Sequence, residues 1–271
     1  MPELAEVEYY RRVWASAIGS TVMDVGFHPQ ARVFRGLDVP SDSLRQLSGS
    51  TLHRAFAHGK QMLFGFAPAG WLGLHLGMSG QLRAEARDYV QNRHDHLLLR
   101  LPESTLVFYD PRMFGRVQLH FGSELPGWWT QLPPGILSPL FTGARLAAIL
   151  QKHPASPIKP LLLDQNLFPG IGNWMADEVL WRSRIHPATR AGTVTPSAQT
   201  RLRRVVREVA EDALRVIAPD WGEAPDNWLF NHRWKGGGHC PRPKCRSALS
   251  RQDLRGRTTS WCPACQILPN P

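Results

Sequence analysis

Four cysteines, Cys240, Cys245, Cys262 and Cys265, are all the cysteine in a chain of 271 residues. Four residues separate the first pair, sixteen lie between the pairs, and two separate the last pair. A disulfide framework spreads its cysteines through a chain, whereas two tight pairs at one end describe a metal site. Four thiolates fill a tetrahedral shell and leave no position for water, so the expected ion is one structural Zn2+ without a catalytic role. The other reading is four unrelated reduced thiols, and His239 beside Cys240 is a further ligand candidate. Between the pairs lie Arg246, Arg251, Arg255 and Arg257. A metal-pinned hairpin carrying arginines can hold a guanidinium against a phosphate.

A second constellation is "LFPGIGNWMADEVLWRSRIHP", where Gly170, Gly172 and Asn173 directly precede a helical run. Backbone N–H groups at such a start, aided by the helix dipole, bind phosphate. The same residues also suit a tight turn between helices. Charge points toward nucleic acid: 32 Lys+Arg against 22 Asp+Glu give a net +10 and a pI near 10.1. Polyanion binding through counterion release favours such a surplus. A basic surface tuned for solubility is the plainer alternative.

The elements that must position these groups fall into three textures. Leu4 to Ile18 has apolar residues at helical spacing, with Gly19 as its stop. From Thr21 to Phe121, short runs such as "QMLFGFA", "WLGLHLGM", "HLLLRL" and "TLVFYD" alternate with turns, which describes a β-sandwich or barrel-like domain. "QLPPGILSPLF" (131–141) is a Pro-rich connector. Helices follow, one capped by Thr195 with Pro196 at its first position. Its apolar face runs through Leu202, Val205, Val206, Val209, Ala213, Val216 and Ile217. Arg201, Arg203, Arg204 and Arg207 on its other face read as a solvated stripe. A Gly/Pro/Trp-rich link then leads to the cysteines. The expected architecture is α+β and multidomain, with boundaries at 1–130, 131–220 and 221–271. No run of about 18 apolar residues is present, and the acidic start is unlike a signal peptide, so a cytoplasmic protein is expected.

Pro2-Glu3, "HGKQML", "HLGMSGQL", "DPRMFGR", "IKPLLLDQ", "GIGN" and the terminal four-Cys finger occur in one order over nearly the whole chain. Together they resemble the formamidopyrimidine-DNA glycosylase/endonuclease VIII family of base-excision repair enzymes. The resemblance implies an N-terminal helix plus β-sandwich, a helix–two-turn–helix domain and a C-terminal zinc-finger β-hairpin. Damaged double-stranded DNA would lie in a basic cleft between the two halves, and the protein would act as a monomer near the bacterial nucleoid.

The resemblance also assigns roles. After removal of the initiator Met, Pro2 would be the nucleophile, since an α-amine titrating near pH 8 is partly neutral at pH 7. Attack at C1′ expels the damaged base, leaves an iminium joined to the sugar, and leads to β- and δ-elimination. Glu3 would be the general acid on the sugar ring oxygen. Lys60 would contact phosphate at the lesion and assist proton transfer. Glu6 would help place the N-terminus, here behind Ala5 where the family usually has Pro. Met78, Arg112 and Phe114 would fill the gap left by the extruded nucleotide. His94 would contact DNA, Lys159 would face the bound strand, and Asn173 and Arg257 would clamp flanking phosphates. Met113 stands where the family often has Arg.

Two departures qualify the match. The first cysteine pair has four intervening residues where the family usually has two, which only widens the loop. The stretch from Ala218 to the finger is short and Trp-rich, where family members specialised for oxidised guanine carry a longer base-covering loop. Ring-opened formamidopyrimidines or oxidised pyrimidines therefore become expected substrates beside 8-oxoguanine. The alternative of another class is a damaged-DNA-binding protein that has lost the reaction.

Overall fold

The computed structural model describes residues 1–268 except Ala69 and Lys235. The chain divides into two compact units, Met1–Leu132 and Pro133–Pro271. The helical segment and the finger together form the second unit. No helix among the described residues is long and apolar enough to cross a membrane.

The first unit begins with helix α1 (Leu4–Ala15), whose N-cap is Glu3 in a reciprocal capping box with Glu6. The Glu3 N–H donates to Glu6 Oε2 at 3.1 Å, which satisfies a donor that the helix start would otherwise leave unpaired. Val7, Tyr10, Trp14 and, past the helix, Ala17 turn into the core. The helix ends at Ala15, three residues before the expected Ile18, and the chain turns out through Gly19 at φ +95°. Ile18 is thereby exposed rather than buried.

Eight strands follow: β1 (Asp24–Phe27), β2 (Thr51–His58), β3 (Gln61–Ala67), β4 (Gly70–His75), β5 (Gln81–Ala86), β6 (Asp95–Arg100), β7 (Ser104–Tyr109) and β8 (Arg116–Phe121). They form two antiparallel sheets in the orders β1-β6-β7-β5 and β2-β3-β4-β8. One apolar core draws on both sheets and α1, with Phe64, Phe66, Leu72 and Val117 meeting Leu97, Leu99 and Phe108. This is the expected sandwich, in which alternate side chains of each sheet fill the space between them. A short helix, α2 (Gly127–Thr130), closes the unit.

The second unit contains α3 (Gly143–Lys152), α4 (Ile158–Leu162), α5 (Asn173–Ser183) and α6 (Pro196–Val216), then the hairpin β9 (Ser250–Leu254) and β10 (Arg257–Trp261). Thr195 caps α6 and Pro196 is its first residue, as the sequence predicts. The arginine stripe of α6 is not simply solvated. Arg201 donates to the Ser183 carbonyl, Arg203 to Phe141 and Arg207 to Ser138, while exposed Arg204 pairs with Glu208. Pro-rich and helix-terminal backbone leaves carbonyls without ladder partners, and long guanidinium arms reach them.

Candidate functional site

Sheet register gathers one set of candidates at one end of the first unit. His58 pairs with Gln61, Gln61 with His75, and His75 with Arg116. The turn holding Lys60, the loop after β4 and the loop before β8 therefore emerge together. Lys60 is buried, and its Nζ lies 3.8 Å from the Met1 sulfur. Pro2 is half-buried and Glu3 is 3% exposed. Lysine, carboxylate and the start of the chain thus share one neighbourhood.

His75 belongs to the same end and was not among the sequence candidates. Its Nδ1 accepts the Gly77 N–H at 3.1 Å. Burial, then Arg116 and Lys60, push its pKa down from 6.5 to about 4. The imidazole is therefore neutral near pH 7, with Nε2 as a donor. Its sequence signal was a lone histidine inside the apolar run "WLGLHLGM".

The two loops carry the expected gap-filling residues. Met78 is 38% exposed and Phe114 is 47% exposed, against the usual burial of such side chains. Met113 has φ +52° and packs against the core, so the chain on either side sends Arg112 and Phe114 outward. The Arg112 guanidinium lies 4.8 Å from the Phe114 ring centroid. Gly77, at φ +60°, abuts the Phe114 carbonyl so closely that a Cβ would stand 2.5 Å from that oxygen.

Asp110 ties the loops together. It is fully buried; Oδ1 accepts from the Ser79 hydroxyl at 2.7 Å and from the Arg112 N–H at 3.3 Å. Oδ2 accepts from the Gly115 N–H at 2.7 Å. An Asp ahead of Pro is an ordinary turn signal, and its reach to the other loop is not visible in sequence. His94 stands nearby: its carbonyl accepts from the Asp110 N–H at 2.9 Å, and its ring meets Tyr109 edge-on at 5.9 Å.

The second unit carries another set. Asn173 opens α5 directly behind Gly172, and its amide donates to the Thr258 carbonyl at 2.9 Å. Arg257 opens β10 after a two-residue turn, Arg255-Gly256, with φ of +52° and +74°. Two positive φ values make the tight hairpin turn that matches strand twist. Arg257 is exposed beside Thr258, so Asn173 and Arg257 share one edge. Lys159 differs from expectation. It is fully buried and pairs with Asp177 at 2.7 Å, so it does not present its ammonium to a strand on the surface. Asp177 and Glu178 on α5 are nearly inaccessible, a placement that sequence reasoning missed, although two adjacent acids stand within the apolar run "NWMADEVLW".

The four cysteines form one cluster, with the sulfur atoms all within 4.8 Å of one another and no disulfide. Cys240–Cys265, Cys245–Cys262 and Cys245–Cys265 are 4.0, 3.6 and 3.5 Å apart. A tetrahedral ion with sulfur ligands at about 2.3 Å sets sulfurs about 3.8 Å apart, so the residues fit a four-thiolate metal site. His239 is not part of the cluster. The Trp181 indole N–H donates to Cys240 Sγ at 3.2 Å, a contact that sequence reasoning missed.

Comparison with known proteins follows the same division. The family model "Formamidopyrimidine-DNA glycosylase N-terminal domain" matches residues 1–117, and "Formamidopyrimidine-DNA glycosylase H2TH domain" matches residues 132–219. The chain is 34% identical to the formamidopyrimidine-DNA glycosylase of Chloroflexus aurantiacus over 277 residues, 98% of each chain. It is also 34% identical to that of a Roseiflexus species, covering 98% of this chain and 100% of the relative. Among solved structures it is similar to Lactococcus lactis Fpg bound to DNA containing an oxidized pyrimidine, with TM-score 0.86, 26% identity, and 98% and 100% of the two chains covered. A second Lactococcus lactis structure, bound non-covalently to DNA containing an AP site, has TM-score 0.84 and 26% identity over 98% and 99% of the chains.

Proposed function

This chain belongs to the formamidopyrimidine-DNA glycosylase family, and from that premise we propose that it is a base-excision DNA glycosylase with AP-lyase activity acting on damaged double-stranded DNA. The observation that carries the reading is the grouping of Lys60, Glu3 and the chain start at the sheet end that also exposes Met78, Arg112 and Phe114.

In this reading the nitrogen of Pro2, freed by removal of Met1, attacks C1′ of the extruded nucleotide and the base departs. The product is an iminium, the Schiff-base form of covalent catalysis. Glu3 protonates the sugar ring oxygen as the ring opens. Glu6 holds the Glu3 N–H and so steadies the residue beside the nucleophile. Lys60 supplies positive charge at the lesion phosphate and a proton-transfer partner. Loss of protons from the iminium-bound sugar then breaks the strand by β- and δ-elimination. Met78 and Phe114 occupy the vacated stack, and Arg112 hydrogen-bonds the orphaned base. His94 touches the DNA, while Asn173 and Arg257 take flanking phosphates.

Cys240, Cys245, Cys262 and Cys265 would hold one Zn2+, for which four thiolates in a tetrahedron make a usual closed structural centre. The protein works as a monomer, in the cytoplasm at the nucleoid. Residues 1–130 form the catalytic domain, 131–220 the helix–two-turn–helix domain, and 221–271 the linker and finger.

The stretch before the finger bears on substrate choice. Trp228 stacks on Trp174, and the Phe230 N–H donates to buried Glu178. Backbone held this way is poorly suited to fold over a flipped 8-oxoguanine. Formamidopyrimidines and oxidised pyrimidines are therefore the preferred lesions, ahead of 8-oxoguanine. Borohydride trapping on abasic duplex tests the chemistry: a covalent adduct is expected, much reduced by Pro2→Gly, and absence of adduct with wild type would leave a DNA-binding protein without the reaction. Excision from duplexes carrying one lesion each tests the substrate order.

A further inference from the structure

Beneath the finger hairpin, three charged side chains share one buried site. Lys159 has no exposed surface, Asp177 is 1% exposed and Arg233 is 4% exposed. Lys159 Nζ lies 2.7 Å from Asp177 Oδ1. Arg233 donates to Oδ2 through Nε at 3.0 Å and Nη2 at 2.6 Å, and the Ser260 N–H reaches the same oxygen at 3.2 Å. Lys159 also donates to the Thr258 carbonyl and the Thr259 hydroxyl, both at 3.0 Å. Three consecutive residues of β10, Thr258 to Ser260, are therefore tied to one ion cluster rooted in α4 and α5. The Thr258 carbonyl accepts from Lys159 and from the Asn173 amide together.

Stability alone is a poor reason for this arrangement. Desolvating two cations and a carboxylate offsets most of their attraction, and apolar side chains of similar volume commonly do as well. What ions with several directed donors supply is position. Thr258 adjoins Arg257, so the cluster sets where the Arg257 backbone stands relative to the start of α5.

We infer that Asp177 and Lys159 are positioning residues that align Asn173 and Arg257 into a single phosphate grip, with Arg233 fastening the segment before the finger to the same carboxylate. The inference rests on the reading of Asn173 and Arg257 as phosphate ligands. It replaces direct strand contact by Lys159 with action through the hairpin backbone.

Charge and position make opposite demands on Asp177→Asn. Removing an acid from a DNA-binding protein strengthens binding if only net charge matters. If Asp177 positions the grip, binding weakens. The measurement is anisotropy of full-length metal-loaded protein on a duplex carrying tetrahydrofuran, an abasic analogue without a base to excise, across a range of salt. Each lost phosphate contact lowers the slope of log K against log salt by about 0.9.

The expected result is at least about tenfold weaker binding and a shallower slope for Asp177→Asn and for Lys159→Met, with metal content retained. Combining either with Arg257→Ala should add little, because both act through the same contact. Tighter binding by Asp177→Asn, or full additivity with Arg257→Ala, overturns the inference while the phosphate reading stands. If Arg257→Ala alone leaves affinity and slope unchanged, the phosphate reading fails and the inference fails with it. Should Lys159→Met not fold, Asp177→Asn, which keeps side-chain size and an acceptor for Ser260, decides alone.

Discussion

The buried Lys60 ammonium stands 3.8 Å from the Met1 sulfur, so this side chain reaches back to the residue preceding Pro2. Lys60 sits in the β2–β3 turn and Met1 precedes α1, which makes their contact a product of the sheet packing against that helix. Loss of the initiator would remove this contact. Lys60→Met keeps the length of the side chain and removes its charge and protons. It should lower single-turnover base release on the order of 100-fold, in the range that proton-transfer partners contribute. Unchanged circular dichroism would separate this from misfolding, and a normal rate would remove Lys60 from the reaction.

Asp110 joins two loops through Ser79 and Gly115. Asp110→Asn keeps the shape but turns an anionic acceptor into an amide beside N–H donors, at a cost of about 1–3 kcal/mol for the disturbed buried bonds. Excision from intact duplex should fall about tenfold or more. Nicking of a preformed abasic site, which needs less prying of the stack, should fall less. Phe114→Ala should give the same split, and equal losses on both substrates would count against a gap-filling role.

His75 gives a pH prediction with a definite sign. Its folded pKa of about 4 lies below the ordinary 6.5. Between those values the unfolded chain binds more protons, so stability increases with pH through that window and is lost as pH falls toward 4. His75→Gln should flatten the dependence of melting temperature on pH between about 6.5 and 4. Proton NMR should find the His75 ring neutral at pH 6, and a ring titrating near 6.5 would refute the assignment.

The Trp181 N–H on Cys240 Sγ gives a readout independent of activity. Trp181→Phe keeps most of the packing and removes the donor. Hydrogen bonds to metal ligands typically govern metal affinity about 10–100-fold, so transfer of the metal to a chromogenic chelator should be correspondingly easier. Stripping the metal altogether should unfold the finger and abolish binding to abasic duplex. A chelated protein that still binds tightly would show that the hairpin holds its shape without the ion.

Much of the fold was legible because it rests on local rules. Helical spacing from Leu4, alternating apolar runs between turns, the Thr195–Pro196 cap and the cysteine pairs each declare themselves within a few residues. Exposure of Met78 and Phe114 was legible for the same reason, since glycine-flanked loops keep apolar side chains out of the core. The end of α1 was missed because a turn closed by Gly19 competes with apolar spacing through Ile18.

What the amino-acid order determined by itself was the inventory: four thiolates at metal spacing, a Pro-Glu start, a lysine in "HGKQML", and a basic surplus. Tertiary structure alone decided which of these groups face outward and which meet in the interior. Lys159 and Asp177 are 18 positions apart, and Thr258 is 99 positions beyond Lys159. No local pattern relates them, because burial of a charge depends on whether a distant carboxylate and carbonyl arrive to satisfy it. The same holds for Arg201, Arg203 and Arg207 of α6, which found carbonyls where periodicity gave them water, and for His75, whose pKa is lowered first by burial and then by Arg116 and Lys60.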